Sequence, residues 1–131
     1  MRRIVGGLLV RDGKVLLGFR APHKAVWPKT WDAIGGRVEP GETPDEALVR
    51  EFGEEVAITP TAYQLLTELS FSDGETVWRY FMYRIDAWDG GEPRIANDEH
   101  TDLRWFPLRE AAALPDLAAS DYIALFRALE G

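Results

Sequence analysis

The sequence contains no cysteine. That excludes a disulfide framework, a thiolate metal site and a cysteine nucleophile. It also lacks a long apolar run. The N-terminal stretch Met1-Arg2-Arg3-Ile4 reads basic then apolar, but the pattern breaks at Arg11-Asp12-Gly13. The break comes too early for a signal peptide with a cleavage site and far too early to span a bilayer, so a cytoplasmic protein without membrane partners is expected. No internal repeat, low-complexity tract or linker is present. Excess positive charge is missing as well: 15 Lys and Arg stand against 22 Asp and Glu, a formal charge of -7. Duplex binding rests largely on Lys and Arg neutralising phosphates, so nucleic acid is not an expected partner. If the chain handles phosphates, metal ions should do much of the neutralising, although excess acid also serves solubility alone.

What is present fits one domain over residues 1–131, with 46% apolar and 28% charged residues. Apolar runs at 4–10 and 15–20 flank Asp12-Gly13, a hairpin signal because glycine supplies the positive φ of the turn. Residues 21–30 hold two prolines and read as a loop, and 31–34 as a short strand entering Gly35-Gly36. Thr43-Pro44-Asp45-Glu46 is a helix start, with Thr43 and Glu46 as a capping box and Pro44 in the first turn. The helix should run to about Val56, before Thr59-Pro60 forces an exit. Residues 63–71 and 76–88 around Ser72-Asp73-Gly74-Glu75 predict a second hairpin, 103–106 a further strand, and 109–114 and 120–129 the closing helices. Strands surrounding one long helix indicate an α/β sandwich with a mixed sheet.

That helix carries the chemistry. At about 100° per residue, Leu48, Val49, Phe52 and Val56 share one arc, while Glu51, Glu54 and Glu55 share the next. Ala47 lies within the acidic arc and Arg50 flanks it. Like charges four apart destabilise a helix by a few tenths of a kcal/mol, more when partly buried. The pattern describes either a solvated acidic face or a platform for a hard cation. Gly35-Gly36 lets backbone oxygen approach a ligand closely, which adds to the second reading.

The run Gly36-x5-Glu42-x7-Arg50-Glu51-Phe52-x-Glu54-Glu55-x-Ala57-Ile58 resembles the Nudix box, the signature of hydrolases of nucleoside diphosphates linked to another moiety. One signature position departs from it: Ala57 stands where the family usually has glycine, at the helix exit. The resemblance implies an alpha-beta-alpha sandwich of the Nudix type, MutT-like chemistry and magnesium as cofactor, with manganese as a substitute. It implies that Glu51, Glu54, Glu55 and the Gly36 carbonyl bind metal. Glu51, or a carboxylate outside the box, deprotonates the attacking water. Arg50 holds the glutamates through charge-assisted hydrogen bonds, and Glu42 braces the loop or binds a water. Gly53, inside the helix, is expected to pack closely against a neighbouring strand.

Outside the box, Arg20 occupies the approach to the loop, where a basic residue often contacts substrate phosphate in the family. Lys24 and Lys29 are weaker candidates. Glu99, rather than Asp98, resembles the extra catalytic or metal-binding glutamate of several Nudix enzymes, and His100 reads as a loop histidine rather than a base. Trp31 is expected in the core, while Trp27 is placed to stack on a nucleobase. Between 76 and 84, Val77, Arg79, Phe81 and Tyr83 point one way, and Trp78, Tyr80, Met82 and Arg84 the other. Core packing is the favoured reading of these aromatics, with Trp78 or Tyr80 as a stacking platform the sharper one.

The short chain suits MutT-type release of pyrophosphate from a nucleoside triphosphate, oxidised or not, by a monomer or homodimer. ADP-ribose, another nucleotide sugar or a dinucleoside polyphosphate is the alternative substrate. ADP-ribose enzymes are commonly longer at the N-terminus, whereas this chain begins almost at its first strand. A non-catalytic nucleotide-binding module is the third reading, but such members usually lack box glutamates, and all are present here. Diphosphate isomerases of the family use an active-site cysteine, which this chain does not have.

Overall fold

Asp12 and Gly13 both adopt positive φ, 52° and 73°, the twist that joins two antiparallel strands tightly. They connect β1 (Arg2–Arg11) to β2 (Lys14–Arg20), with Val10 opposite Val15. The computed structural model describes residues 2–25, 27–72 and 74–130. Asp73 of the expected second turn lies outside them. After a loop come β3 (Trp31–Asp32), β4 (Ile34–Arg37), α1 (Pro44–Val56), β5 (Thr59–Ser72), β6 (Val77–Asp89), β7 (His100–Pro107), α2 (Leu108–Ala112) and α3 (Asp121–Glu130).

β1 is the central strand, pairing with three others. It pairs antiparallel with β2 and β4 and parallel with β6, giving the path β3-β2-β1-β6-β5, with β7 on β2. Alternate side chains therefore enter two cores. Val5 and Leu9 join Leu48, Phe52, Val56, Phe81 and Tyr83 beneath α1. Leu8 joins Tyr80, Met82, Leu108, Tyr122 and Phe126 beneath α2 and α3. The two faces of β6 divide as the alternation predicts, and the result is a mixed sheet between helices. Burial of Leu48, Phe52 and Val56 contributes about 1.5–3 kcal/mol each before entropy is counted. Among the described residues no helix is long and apolar enough to cross a membrane.

α1 starts as its sequence dictates. The Thr43 hydroxyl accepts from the Glu46 N–H at 3.2 Å, and the Thr43 N–H donates back to Glu46 Oε1 at 2.9 Å. Its roll differs from the wheel. Ala47 is fully buried and Glu55 nearly so, whereas Val49 is only half-buried. The buried arc thus reaches into the acidic one, and Gly36 of β4 leaves room there for the Glu51 carboxyl. Further along, β5 begins directly at Thr59. Pro60 is tolerated because β5 is an edge strand, and its ladder to β6 is irregular between Pro60 and Ala62.

Gly53 departs from its expected close packing, and Ala57 shows why glycine is usual at the helix exit. Gly53 packs against nothing: a Cβ there would meet only the Ile58 carbonyl oxygen, at 4.0 Å. Ala57 caps the helix in the left-handed region, φ 58° and ψ 39°, which glycine adopts without strain and alanine does not. Gly53→Ala is therefore expected to stabilise the protein by about 0.5–1 kcal/mol, and Ala57→Gly by about the same amount. Urea denaturation measures both. A lower midpoint for either variant contradicts this account of the helix.

Candidate active site

Arg50 is the hub of the carboxylate cluster. Its Nε donates to Glu42 Oε2 at 2.7 Å and its Nη2 to Glu42 Oε1 at 3.0 Å, a two-point clamp between helix and loop. Nη1 donates to Glu51 Oε1 at 2.9 Å and to Glu54 Oε2 at 3.2 Å, and Nη2 reaches the Arg37 carbonyl at 2.9 Å. One guanidinium thus fixes three glutamates and the strand that precedes the helix. The clamp from Arg50, helped by the Glu39 N–H, holds the Glu42 carboxyl down to about 2.

Glu51 and Glu55 face the opposite pressure. Burial raises both carboxyls above the ordinary range. In Glu55 the neighbouring Glu51 charge adds to burial and the group is pushed up to about 9. Glu55 is 4% exposed and its Oε2 has no hydrogen-bond partner. Gly36 makes this arrangement possible. A Cβ on it would lie 2.5–2.6 Å from the Glu51 carboxyl atoms, so any side chain would displace that carboxylate.

Glu54 is different: its side chain is 55% exposed and is drawn to Arg50. Glu99 sits in the loop before β7, ion-paired with Lys24, and its charge contributes to the upward shift of Glu55. Among the described residues no three acidic or histidine side chains are grouped closely enough to hold one cation as they lie.

The donor set nonetheless fits a divalent ion. Two adjacent carboxyls held in low dielectric, one with an orphaned buried oxygen, are stabilised by a cation, and hard cations prefer oxygen ligands. Glu51, Glu54 and Glu55, with backbone oxygen of Gly36, are the groups that could hold it.

Beside this cluster lies a cleft of about 620 Å³, lined by Gly35, Gly36, Arg37, Arg20, Lys24 and Glu99 together with the aromatic residues Trp27, Phe71, Trp78 and Tyr80. Trp27 is 39% exposed and its ring centre lies 6.1 Å from that of Phe71. Phe71 in turn lies parallel to Trp78, its cross-strand partner, at 6.3 Å. The Arg37 and Arg2 guanidiniums lie 5.3 and 5.6 Å from the Trp78 ring centre. Tyr80 lines the cleft but is a core residue, 8% exposed, its hydroxyl paired with that of Tyr122 at 2.8 Å.

The structure brings together Gly36, Arg50, Glu51, Glu54 and Glu55, and sets Glu99, Arg20, Trp27 and Trp78 around the adjoining cleft. It moves His100 out of the loop. A bulge at Thr101, where the register shifts opposite Phe19 and Arg20, lets β7 keep pairing with β2 as far as His100, which is buried as the first residue of that strand. Burial, then the nearby Arg20 charge, lowers its imidazole to about 4.

Phe71 and Asp32 are among the cleft residues that the sequence reading did not single out. Phe71 follows from the hairpin register, which sets it opposite Trp78. Asp32 had no periodic signal, because β3 has only two residues. Its carboxyl is buried at the cleft, where it accepts from the Tyr122 hydroxyl, from the Ala33 N–H at 2.8 Å and from Arg20 at 3.4 Å. Burial raises it above the ordinary carboxylate range against these donors.

Comparison with known proteins agrees with this geometry. Residues 1–128 match the family model of the NUDIX domain. A nucleoside triphosphatase NudI from Salmonella newport is 35% identical over 120 residues, 85% of each chain. The crystal structure of a MutT NUDIX hydrolase from Burkholderia pseudomallei superposes with a TM-score of 0.76 at 33% identity, covering 82% of this chain and 84% of that one. The solution structure of the E. coli ORF135 protein gives 0.81 at 30% identity, covering 98% and 88%. Box, fold and cleft together lead to one conclusion: this chain belongs to the NUDIX family and is a hydrolase of pyrophosphate bonds.

Proposed function

We propose that the chain is a divalent-metal-dependent pyrophosphohydrolase converting a nucleoside triphosphate, normal or oxidised, to the monophosphate and pyrophosphate. The observation that carries this reading is the cleft, whose lining combines aromatic rings with Gly36, which lies against the Glu51 carboxyl. A nucleotide offers both kinds of group to such a lining, an aromatic base and a phosphate chain. The name of the NudI relatives supports the triphosphate over other linked diphosphates.

Glu51, Glu54, Glu55 and backbone oxygen of Gly36 would hold magnesium, or manganese in its place. When bound, the ion neutralises phosphate charge and lowers the pKa of a bound water. Arg50 keeps Glu51 and Glu54 at fixed positions while charge moves through the site. Glu51 or Glu99 accepts the proton of the attacking water, and water attacks one phosphorus in line with the leaving group. Arg20 contacts the phosphate chain from the cleft floor, and Trp27 stacks on the base.

The test is incubation with magnesium and a panel of nucleoside triphosphates, oxidised dGTP, ADP-ribose and diadenosine polyphosphates, with identification of products. Pyrophosphate released from a triphosphate is the expected result. Release of phosphate, or turnover of ADP-ribose alone, overturns the choice of substrate. Aromatic stacking on a base is worth about 1–3 kcal/mol, so Trp27→Ala should raise KM about tenfold with kcat nearly unchanged. An unchanged KM removes Trp27 from the base subsite.

A further inference from the structure

We propose that His100 is a positioning residue for Glu55, its Nδ1 edge steering one carboxylate oxygen so that the other is left to the cation. The proposal rests on the metal-centred reading above. His100 and Glu55 come from different elements, the start of β7 and the last turn of α1. Their side chains are only 4% and 3% exposed, with Nδ1 lying 3.7 Å from Glu55 Oε1. That separation is just beyond hydrogen-bond length, and a small tilt of either side chain closes it. Each partner also holds one buried polar atom without a hydrogen bond, Glu55 Oε2 and His100 Nε2. Burying an unpaired polar group costs free energy. If packing were the only role of position 100, an apolar side chain would fill the space at lower cost.

The seat of the ring is prepared by the neighbouring strand. At Gly18, on β2, a Cβ would lie 2.5 Å from His100 Cδ2 and 2.8 Å from the Ile34 terminal methyl. The missing side chain at 18 lets the imidazole lie against the sheet, with Glu55 on its Nδ1 side. A carboxylate that ligates a metal is oriented by the groups that hydrogen-bond it, and removal of such a partner typically costs about 10- to 100-fold in metal affinity.

Asparagine and glutamine separate this role from packing and polarity. The amide nitrogen of asparagine falls near the place of Nδ1, and that of glutamine near Nε2. Mn2+ binding to the substrate-free protein, followed by calorimetry and by the electron paramagnetic resonance of the ion, is the readout. Thermal melts of the metal-free variants accompany it. His100→Asn is expected to bind Mn2+ within about threefold of wild type, and His100→Gln to bind it about 10- to 100-fold more weakly with a comparable melting temperature.

Equal affinities for the two variants overturn the proposal, whether both are weak or both are unchanged. If wild type itself binds no Mn2+, the metal-centred reading fails and this one with it. Gly18→Ala supplies a second line, because it displaces the ring without altering position 100. It should weaken Mn2+ binding in the same direction, and unchanged affinity in a folded Gly18→Ala protein also counts against the proposal.

Discussion

Glu54→Gln is expected to lower turnover about 10²- to 10³-fold, the loss typical when one group that stabilises charge at the reacting phosphate is removed. Stability should change by no more than about 0.5 kcal/mol. The two halves of this expectation have separate grounds. Structurally, the Glu54 side chain is more than half exposed and its ion pair with Arg50 is one contact of several that Arg50 makes. The amide keeps the length and shape of the side chain and can still accept from the guanidinium. Chemically, a carboxylate contributes a full negative charge to a cation and an amide does not. Glu51→Gln would confound the two, because it also alters the partner of Arg50 inside the cluster. Pyrophosphate release under saturating nucleotide, measured beside a thermal melt, reads both halves. Near-normal magnesium-dependent hydrolysis by Glu54→Gln would sink the assignment of the box glutamates.

The metal-free protein is expected to lose stability as pH rises from about 6.5 to 9, and magnesium should reverse the loss. Glu55 is an acid whose folded pKa lies above its unfolded value, at about 9. The folded state therefore binds the proton more tightly than the unfolded chain. Its contribution is present in full below the unfolded pKa of about 4.3. It is lost as pH rises, until the folded group also ionises. Burial shifts Glu51 the same way. His100 acts with the opposite sign, since its folded pKa is depressed to about 4, but its effect is confined to the region below its unfolded pKa, about 6.5. Above that value the carboxyl slope stands alone. Even a displacement two pH units wide corresponds to about 2.7 kcal/mol, or on the order of 10 °C in melting temperature.

A cation bound at the carboxylates favours their ionised forms and stabilises the folded state by mass action. Glu55→Gln should flatten the metal-free slope and melt higher than wild type at pH 8 without added metal. It should also fail to gain stability with magnesium. Parallel slopes for wild type and Glu55→Gln would show that the burial of this carboxyl is not what couples pH to stability.

Much of this was legible in the sequence because it is local. The Asp12-Gly13 turn, the capping box at Thr43 and the alternation along residues 77–84 each encode their geometry within a few positions. The box glutamates and Arg50 are likewise set by helical spacing. What could not be read were the consequences of packing one element on another. The roll of α1 is set where it packs on the sheet, with Gly36 making room for Glu51, and it leaves Glu55 a core residue and Val49 half-buried. His100 is a strand residue because a bulge at Thr101 in β7 prolongs a pairing between segments far apart in the chain. Asp32 belongs to a strand too short to carry a period, and its partner Tyr122 lies on the last helix. Gly53 shows the converse: a glycine suggests close packing, yet this one faces open space.

The shared position of β1 also divides the molecule by tolerance to change. Gly36 lies opposite Val5, and Val5 lies opposite Phe81 on the other side. A slip of one residue in β1 would turn its core side chains to the wrong face and shift β4 and β6 with it. Reaction geometry is thus locked to the most constrained strand. Trp27 and Phe71 stand instead on a loop and near the end of the edge strand β5, where insertions and exchanges disturb few neighbours. On the proposed reading, redrawing those segments would change which nucleotide is preferred and leave the way of cleaving unchanged.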